Sequence, residues 1–149
     1  MTRLLIAFYL LLFIISIACK QEDHVPEPLE VRNAKEKIIG TWKRDTIIQY
    51  INDSLVYLNA DSVGRTMQLI FREDLTYSSF SNTTSHHGDY TIELIDMTID
   101  SFLVLDLPYV GNDGRIWGAA YIIHHLDDQM MELWPDGSGI SPSYIYKRQ

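Results

Sequence analysis

At 149 residues, the chain is long enough for one domain with a substantial core but too short for several. It carries 20 Asp and Glu against 12 Lys and Arg, a formal net charge of −8. Such an acidic chain repels nucleic acid and anionic lipid head groups, so we expect neither as a partner.

The first segment predicts a secretory signal peptide. After a short basic start, Leu4–Ile15 carries no charge, and the small residues Ser16 and Ala18 follow. An apolar run of about a dozen residues is shorter than the roughly 20 that a membrane-spanning helix needs. We therefore assign residues 1–18 to a cleaved signal peptide, with an uncleaved anchor as the alternative.

The single cysteine of the chain, Cys19, comes directly after this segment. Its placement resembles the lipobox of bacterial lipoproteins, which implies fatty acyl (palmitate-type) lipidation of Cys19 and a membrane as partner. The next residues, Lys20–Asp23, resemble the export signal of Bacteroidota lipoproteins. That resemblance implies the outer membrane, with the cell surface favoured over a periplasm-facing position.

A tether and a short helix are predicted next. Residues 19–30 are rich in charge and proline, a composition typical of a flexible spacer, which leaves residues 31–149 as the folded domain. Val31, Ala34 and Ile38 recur at helical spacing, so we expect one helix between Glu30 and Ile39.

From Gly40 onward the sequence predicts strands and turns. Apolar and polar residues alternate in short, evenly spaced runs, which are typical of an antiparallel sandwich or barrel. We expect an all-β fold, a single barrel of about eight strands, because closure removes exposed sheet edges. The predicted strands span 41–50, 55–58, 66–72, 75–81, 89–94, 99–107, 115–126, 129–134 and 143–148, with a polar loop at 82–87.

Three motifs in order resemble the lipocalin-like domains of bacterial lipoproteins. They are Gly-x-Trp at Gly40–Trp42, the segment Leu69–Tyr77 (Leu-Ile-Phe-Arg-Glu-Asp-Leu-Thr-Tyr), and Gly-x-Tyr at Gly88–Tyr90. A final aromatic and basic strand, Tyr144–Arg148, completes the pattern. In the second motif, Leu75 occupies a turn position that usually holds glycine.

The resemblance implies a lipocalin-like β-barrel with one closed end. There Gly40 and Trp42 would form a structural motif, with Arg148 or Lys147 lying across the indole in a cation–π contact. Other apolar side chains either line a ligand cavity or fill the barrel. The candidates for the cavity lining are Met67, Leu69, Phe71, Tyr90, Ile92 and Leu103, and Phe102, Met131 and Trp134 have the same two interpretations.

No motif in the sequence predicts catalysis, a metal site or a cofactor. The pairs His86–His87 and His124–His125 place neighbouring side chains on opposite faces of a strand, so each pair offers one ligand to a given site. There is no Gly-x-Ser-x-Gly nucleophile motif. We expect a protein that is not an enzyme.

The sequence is compatible with two functions. The first is non-catalytic binding of a small, largely apolar ligand in the barrel mouth, for which a cavity of a few hundred Å³ is expected. The alternative is a protein-interaction or accessory module of an outer-membrane assembly. That module would have a filled core and an exposed apolar or aromatic patch.

Overall fold

The computed structural model describes residues 26–96, 100–111, 113–135 and 141–149. The predicted signal peptide, Cys19 and most of the tether lie outside these residues. The described part contains one helix and ten strands: α1 (Leu29–Ile38), β1 (Gly40–Ile51), β2 (Ser54–Asn59), β3 (Met67–Phe71), β4 (Thr76–Ser81), β5 (Ser85–Asp89), β6 (Thr91–Asp96), β7 (Ser101–Val110), β8 (Ile116–Leu126), β9 (Met130–Pro135) and β10 (Ser143–Arg148).

Helix α1 begins at Leu29, inside the segment that was predicted to be tether. Pro28 directly precedes it, and Glu30 places an acidic side chain in its first turn. Both features favour a helix start, since proline fixes its own φ and a negative charge stabilises the amino end of a helix. The helix buries Val31, Ala34 and Ile38 against the sheet.

The fold is all-β and antiparallel, as predicted. The prediction of a closed barrel of about eight strands is not confirmed by the hydrogen bonds between strands. All ten strands belong to one sheet, in the order β5-β4-β3-β1-β10-β9-β8-β7-β6, with β2 paired to β1. The path is open, with β5 and β6 at its two ends. The additional strand is β5, which overlaps the predicted loop at 82–87 because its residues, Ser-His-His-Gly-Asp, lack apolar alternation.

Strands β4 and β5 approach β7 through side-chain and van der Waals contacts. A Cβ on Gly88 of β5 would lie 2.4 Å from the carbonyl oxygen of Pro108 on β7. The Tyr77 hydroxyl lies 3.1 Å from the Leu107 oxygen and 3.0 Å from the Pro108 oxygen, between which it shares its proton. Pro108 has no N–H to donate, so it removes one hydrogen bond from any ladder between β5 and β7.

Two turns in the described part of the chain carry residues other than glycine with positive φ. Asn52 and Asp53, with φ of 49° and 61°, form the β1–β2 hairpin turn expected from their sequence. Leu75 has φ of 63°, a conformation that costs a side-chain-bearing residue roughly 1–2 kcal/mol. The Asp74 carboxylate stabilises this turn by accepting hydrogen bonds from the Thr76 hydroxyl and backbone N–H.

Candidate functional site

One end of the domain is built around Trp42. The Arg148 guanidinium carbon lies 4.6 Å from the centre of the indole, while Lys147 pairs with Asp45 instead. Trp42 donates its Nε1 proton to the carbonyl of Ile38, the last residue of α1, at 2.7 Å. This end therefore joins the first strand, the last strand and the helix.

Arg148 also satisfies the carboxyl end of α1. Its guanidinium donates to the carbonyl of Ile39 at 3.0 Å and to that of Lys37, two of the acceptors that a helix end leaves without partners. Gly40 has φ of 136°, and a Cβ there would lie 3.0 Å from Arg148 Nη1. The three residues of the predicted end motif thus lie together in a structural contact.

The six candidate cavity residues lie in or against the core. Leu69, Phe71, Tyr90 and Ile92 are buried in it, and the rings of Phe71 and Tyr90 meet edge to face with centres 5.1 Å apart. Met67 and the sixth residue, Leu103, are partly buried and pack against the same core. The space around these six residues is therefore occupied by side chains.

A cation lies among aromatic rings on the interior face of the sheet. Arg44 lies opposite the core residue Tyr146 in the β1–β10 ladder, so its side chain is on the interior face. Its guanidinium carbon is 4.1 Å from the centre of the Tyr144 ring, and its Nη2 donates to the Tyr146 hydroxyl at 3.0 Å. Tyr121 meets Tyr144 edge to face at 6.2 Å. We call Arg44, Met67, Tyr121, Tyr144 and Tyr146 the Arg44 cluster.

Two tyrosines of this cluster, Tyr121 and Tyr146, have pKa values raised above the usual value for a phenol. Burial raises the pKa of Tyr121, and neighbouring tyrosines raise it further. Burial likewise raises the pKa of Tyr146, although Arg44 opposes that effect. Among the described residues, no carboxylate oxygen lies within 4.0 Å of the Arg44 guanidinium. The cluster therefore has a positive charge without a paired negative one.

A groove with exposed aromatic walls lies on the outside of the sheet. Tyr50, Tyr57 and Leu55 are 70%, 63% and 45% exposed, and Trp134 is 42% exposed. Together with neighbouring residues of β1, β2, β9 and β10 they line a groove of about 350 Å³. We call these four residues the aromatic groove.

The indole of Trp134 is held in place by its neighbours. The His124 ring stacks on it at 4.2 Å with an angle of 4° between the planes. Trp134 donates Nε1 to the Glu132 carboxylate at 2.7 Å, and His124 Nδ1 lies 3.4 Å from the same carboxylate. A fixed ring loses little side-chain entropy on binding, which suits an anchor for a partner.

The histidines lie apart from any metal-type cluster. His86 packs on Tyr109, with ring centres 4.0 Å apart, beside a cleft of about 750 Å³ between β5 and β7. His125 contacts Asp127 at 2.9 Å. In the described ranges, no three His, Cys, Asp or Glu side chains are grouped so that they could hold a metal ion.

The structure differs from the sequence prediction at Trp134, and it adds Arg44, which the sequence prediction did not include. Trp134 was considered an interior residue, but it lies on the outer face, since its neighbour Leu133 points into the core. Arg44 was not singled out, although it follows Trp42 by two residues, the spacing that places side chains on one face of a strand.

Comparison with protein-family models, with curated proteins and with solved structures finds no match to this chain. No helix in the described part of the chain is long and apolar enough to cross a lipid bilayer. The functional interpretation therefore depends on the residues and geometry described above.

Proposed function

We propose that the chain is a lipid-anchored lipoprotein of the bacterial envelope, attached to the outer membrane through Cys19. Its lipocalin-like β domain would bind a partner protein of that membrane through the aromatic groove. The observation that carries this proposal is the exposure of Tyr50, Leu55, Tyr57 and Trp134 around one groove. Large apolar side chains grouped on a surface mark interaction sites more often than single ones do.

The anchor is inferred from the lipobox-like sequence before Cys19. Replacing Cys19 with alanine should abolish incorporation of radioactive palmitate, because the lipid attaches through that thiol. Labelling of the wild type and the variant in the expressing bacterium measures this directly. Labelling that persists in the variant would show that the lipid is elsewhere and would remove the basis for the anchor.

The expected partner segment is extended, apolar and flanked by basic residues. The groove lies along paired strands, and its aromatic residues are of the types that dominate binding energy at protein interfaces. Among the described residues that line the groove, the one carboxylate is Glu132, which is only 18% exposed and already lies against Trp134 and His124. The net charge of −8 favours an oppositely charged partner surface.

Substitution of Tyr50 and Tyr57 by serine should eliminate partner binding while leaving the fold intact, because both rings are largely exposed. A photo-crosslinking amino acid at Leu55, introduced into the full chain in its own cells, should give one defined adduct. That adduct should fall by at least about tenfold in the double variant, as expected when two interface anchors are lost.

A matched control is the double substitution of Val110 and Ile116 by serine. These side chains are 68% and 78% exposed but lie outside the groove, so the Leu55 adduct should be unchanged. If the crosslinker at Leu55 gives no more adduct than one placed at Ile116, the groove is not the binding surface.

Binding of a largely apolar ligand beside Leu69, Phe71, Tyr90 and Ile92 has less support, because these residues fill the interior next to α1. Their packing is the arrangement expected of the accessory module.

A further inference from the structure

We propose that the aromatic groove binds a proline-rich segment in the polyproline II conformation, flanked by basic residues. This inference rests on the function proposed above and specifies the chemistry of the partner segment. Polyproline II is an extended left-handed helix without internal hydrogen bonds, so its carbonyl groups and its side chains all face outward.

The shape of the groove follows from the pairing of four strands. Ser143 of β10 lies opposite Ile48 of β1, and Ile48 in turn lies opposite Tyr57 of β2. In the register of the β9–β10 ladder, Trp134 is level with Ser143 on the other side. A small side chain and an aliphatic one therefore form a floor between two exposed aromatic rings, and the groove lies along the strands.

The floor of the groove is a sheet face and not a strand edge. Its two strands, β1 and β10, each pair with a neighbour on both sides, so their backbone groups are already hydrogen-bonded to other strands. An ordinary extended segment laid on this face would bury N–H groups without backbone acceptors, which costs free energy. Proline has no N–H group, so a proline-rich segment avoids this cost.

The walls of the groove have the side chains that polyproline II segments bind. Tyr50, Tyr57 and Trp134 present flat aromatic rings, and aromatic-lined grooves are the usual receptors for such segments because the helix is already formed before binding. Ser143 and the two tyrosines also carry hydroxyl donors. These hydroxyls can donate to the carbonyl groups that a polyproline II backbone turns outward.

The charge around the groove selects a basic flank. Among its described lining residues there is no Lys or Arg, and Glu132 supplies a carboxylate beside Trp134. The whole chain has a net charge of −8. A basic residue next to the prolines is therefore attracted to this surface, whereas an acidic residue is repelled.

Three peptides separate proline recognition from general apolar attraction. The probe is Arg-Pro-Leu-Pro-Pro-Leu-Pro-Arg with a neutral fluorophore; a second peptide has alanine for every proline, and a third has glutamate for both arginines. Each is titrated with the full chain in phosphatidylcholine nanodiscs, with empty nanodiscs as the blank, and fluorescence anisotropy reports binding. We expect saturable binding of the probe, at least about tenfold weaker binding of the alanine peptide, and about threefold or more weaker binding of the glutamate peptide.

Variants test whether the probe binds in the groove. Ser143→Leu fills the floor between Trp134 and Ile48, so it should weaken probe binding by at least about tenfold. Ser85→Leu adds the same side chain to an exposed residue of β5 outside the groove, so probe affinity should be unchanged. Circular dichroism verifies the fold, and the double substitution of Tyr50 and Tyr57 by serine replaces Ser143→Leu if that variant does not fold.

Four results would overturn the proposal. They are equal affinity for the proline and alanine peptides, equal or tighter binding of the glutamate peptide, unchanged probe affinity in the folded groove variant, and no saturable binding of the probe by the folded wild type. The Leu55 adduct in cells is measured separately. If that adduct forms while the peptides give any of these results, the groove still binds a partner protein and only its proline-rich character is wrong.

Discussion

Replacing Trp42 with alanine is expected to lower the free energy of unfolding by about 3–5 kcal/mol, the range for a large aromatic residue removed from a core. Trp42 is fully buried, stacks under Arg148 and donates to the Ile38 carbonyl. The substitution leaves a cavity, an unpaired carbonyl at the end of α1 and a guanidinium without its aromatic partner. Urea denaturation followed by circular dichroism measures the loss.

Trp117→Ala is the matched control for this experiment. Trp117 is 50% exposed, and its indole nitrogen lies 3.5 Å from the Asp113 carboxylate. Its removal should cost less than about 1 kcal/mol, because it fills no buried space. Equal losses in the two variants would contradict the assignment of Trp42 as the residue that unites helix, first strand and last strand.

Replacing Gly88 with valine is expected to cost about 3 kcal/mol, at the upper end of what overpacking costs. The first carbon of any side chain there would lie 2.4 Å from the Pro108 oxygen, a backbone atom that cannot rotate away. Since β5 and β7 must then separate, the Tyr77 hydroxyl should also lose its contacts with Leu107 and Pro108. Thermal unfolding and amide hydrogen exchange at Leu107 would report both effects.

His87→Val tests whether valine itself is the cause. His87 is adjacent to Gly88 on β5, but its side chain is exposed, and valine is favourable in strands. We expect a change within about 0.5 kcal/mol. If Gly88→Val is equally mild, β5 and β7 do not touch at this point in solution.

Much of the fold could be predicted from local patterns. Alternating apolar and polar residues indicate the strands that have one face in the core, and Asn52-Asp53 is a sequence typical of a hairpin turn. Together these patterns predicted the all-β class. Strand β5 was missed because its polar residues carry no alternation signal, although hydrogen bonds to β4 suffice to form it. The open path of the sheet was not predicted, because the sequence does not show which strand lies beside Pro108.

The candidate sites were less accessible to prediction than the strands. A period of two assigns Arg44 and Trp42 to one face and Leu133 and Trp134 to opposite faces, but it does not say which face is the interior. Exposure around the aromatic groove likewise depends on β2 pairing with β1 alongside β10 and β9.

The sequence by itself determined the strand-and-turn class of the domain, the short helix before it and the set of residues that meet around Trp42. Tertiary structure alone decided that the sheet stays open, that Arg44 lies among tyrosines inside it and that Trp134 lies outside. The physical reason is register. The ladder shifts between Arg44 and Thr46 and again between Ile123 and His125. Each such shift changes the alternation of side chains along a strand, so the face of a residue follows from its pairing partner and not from its position in the chain.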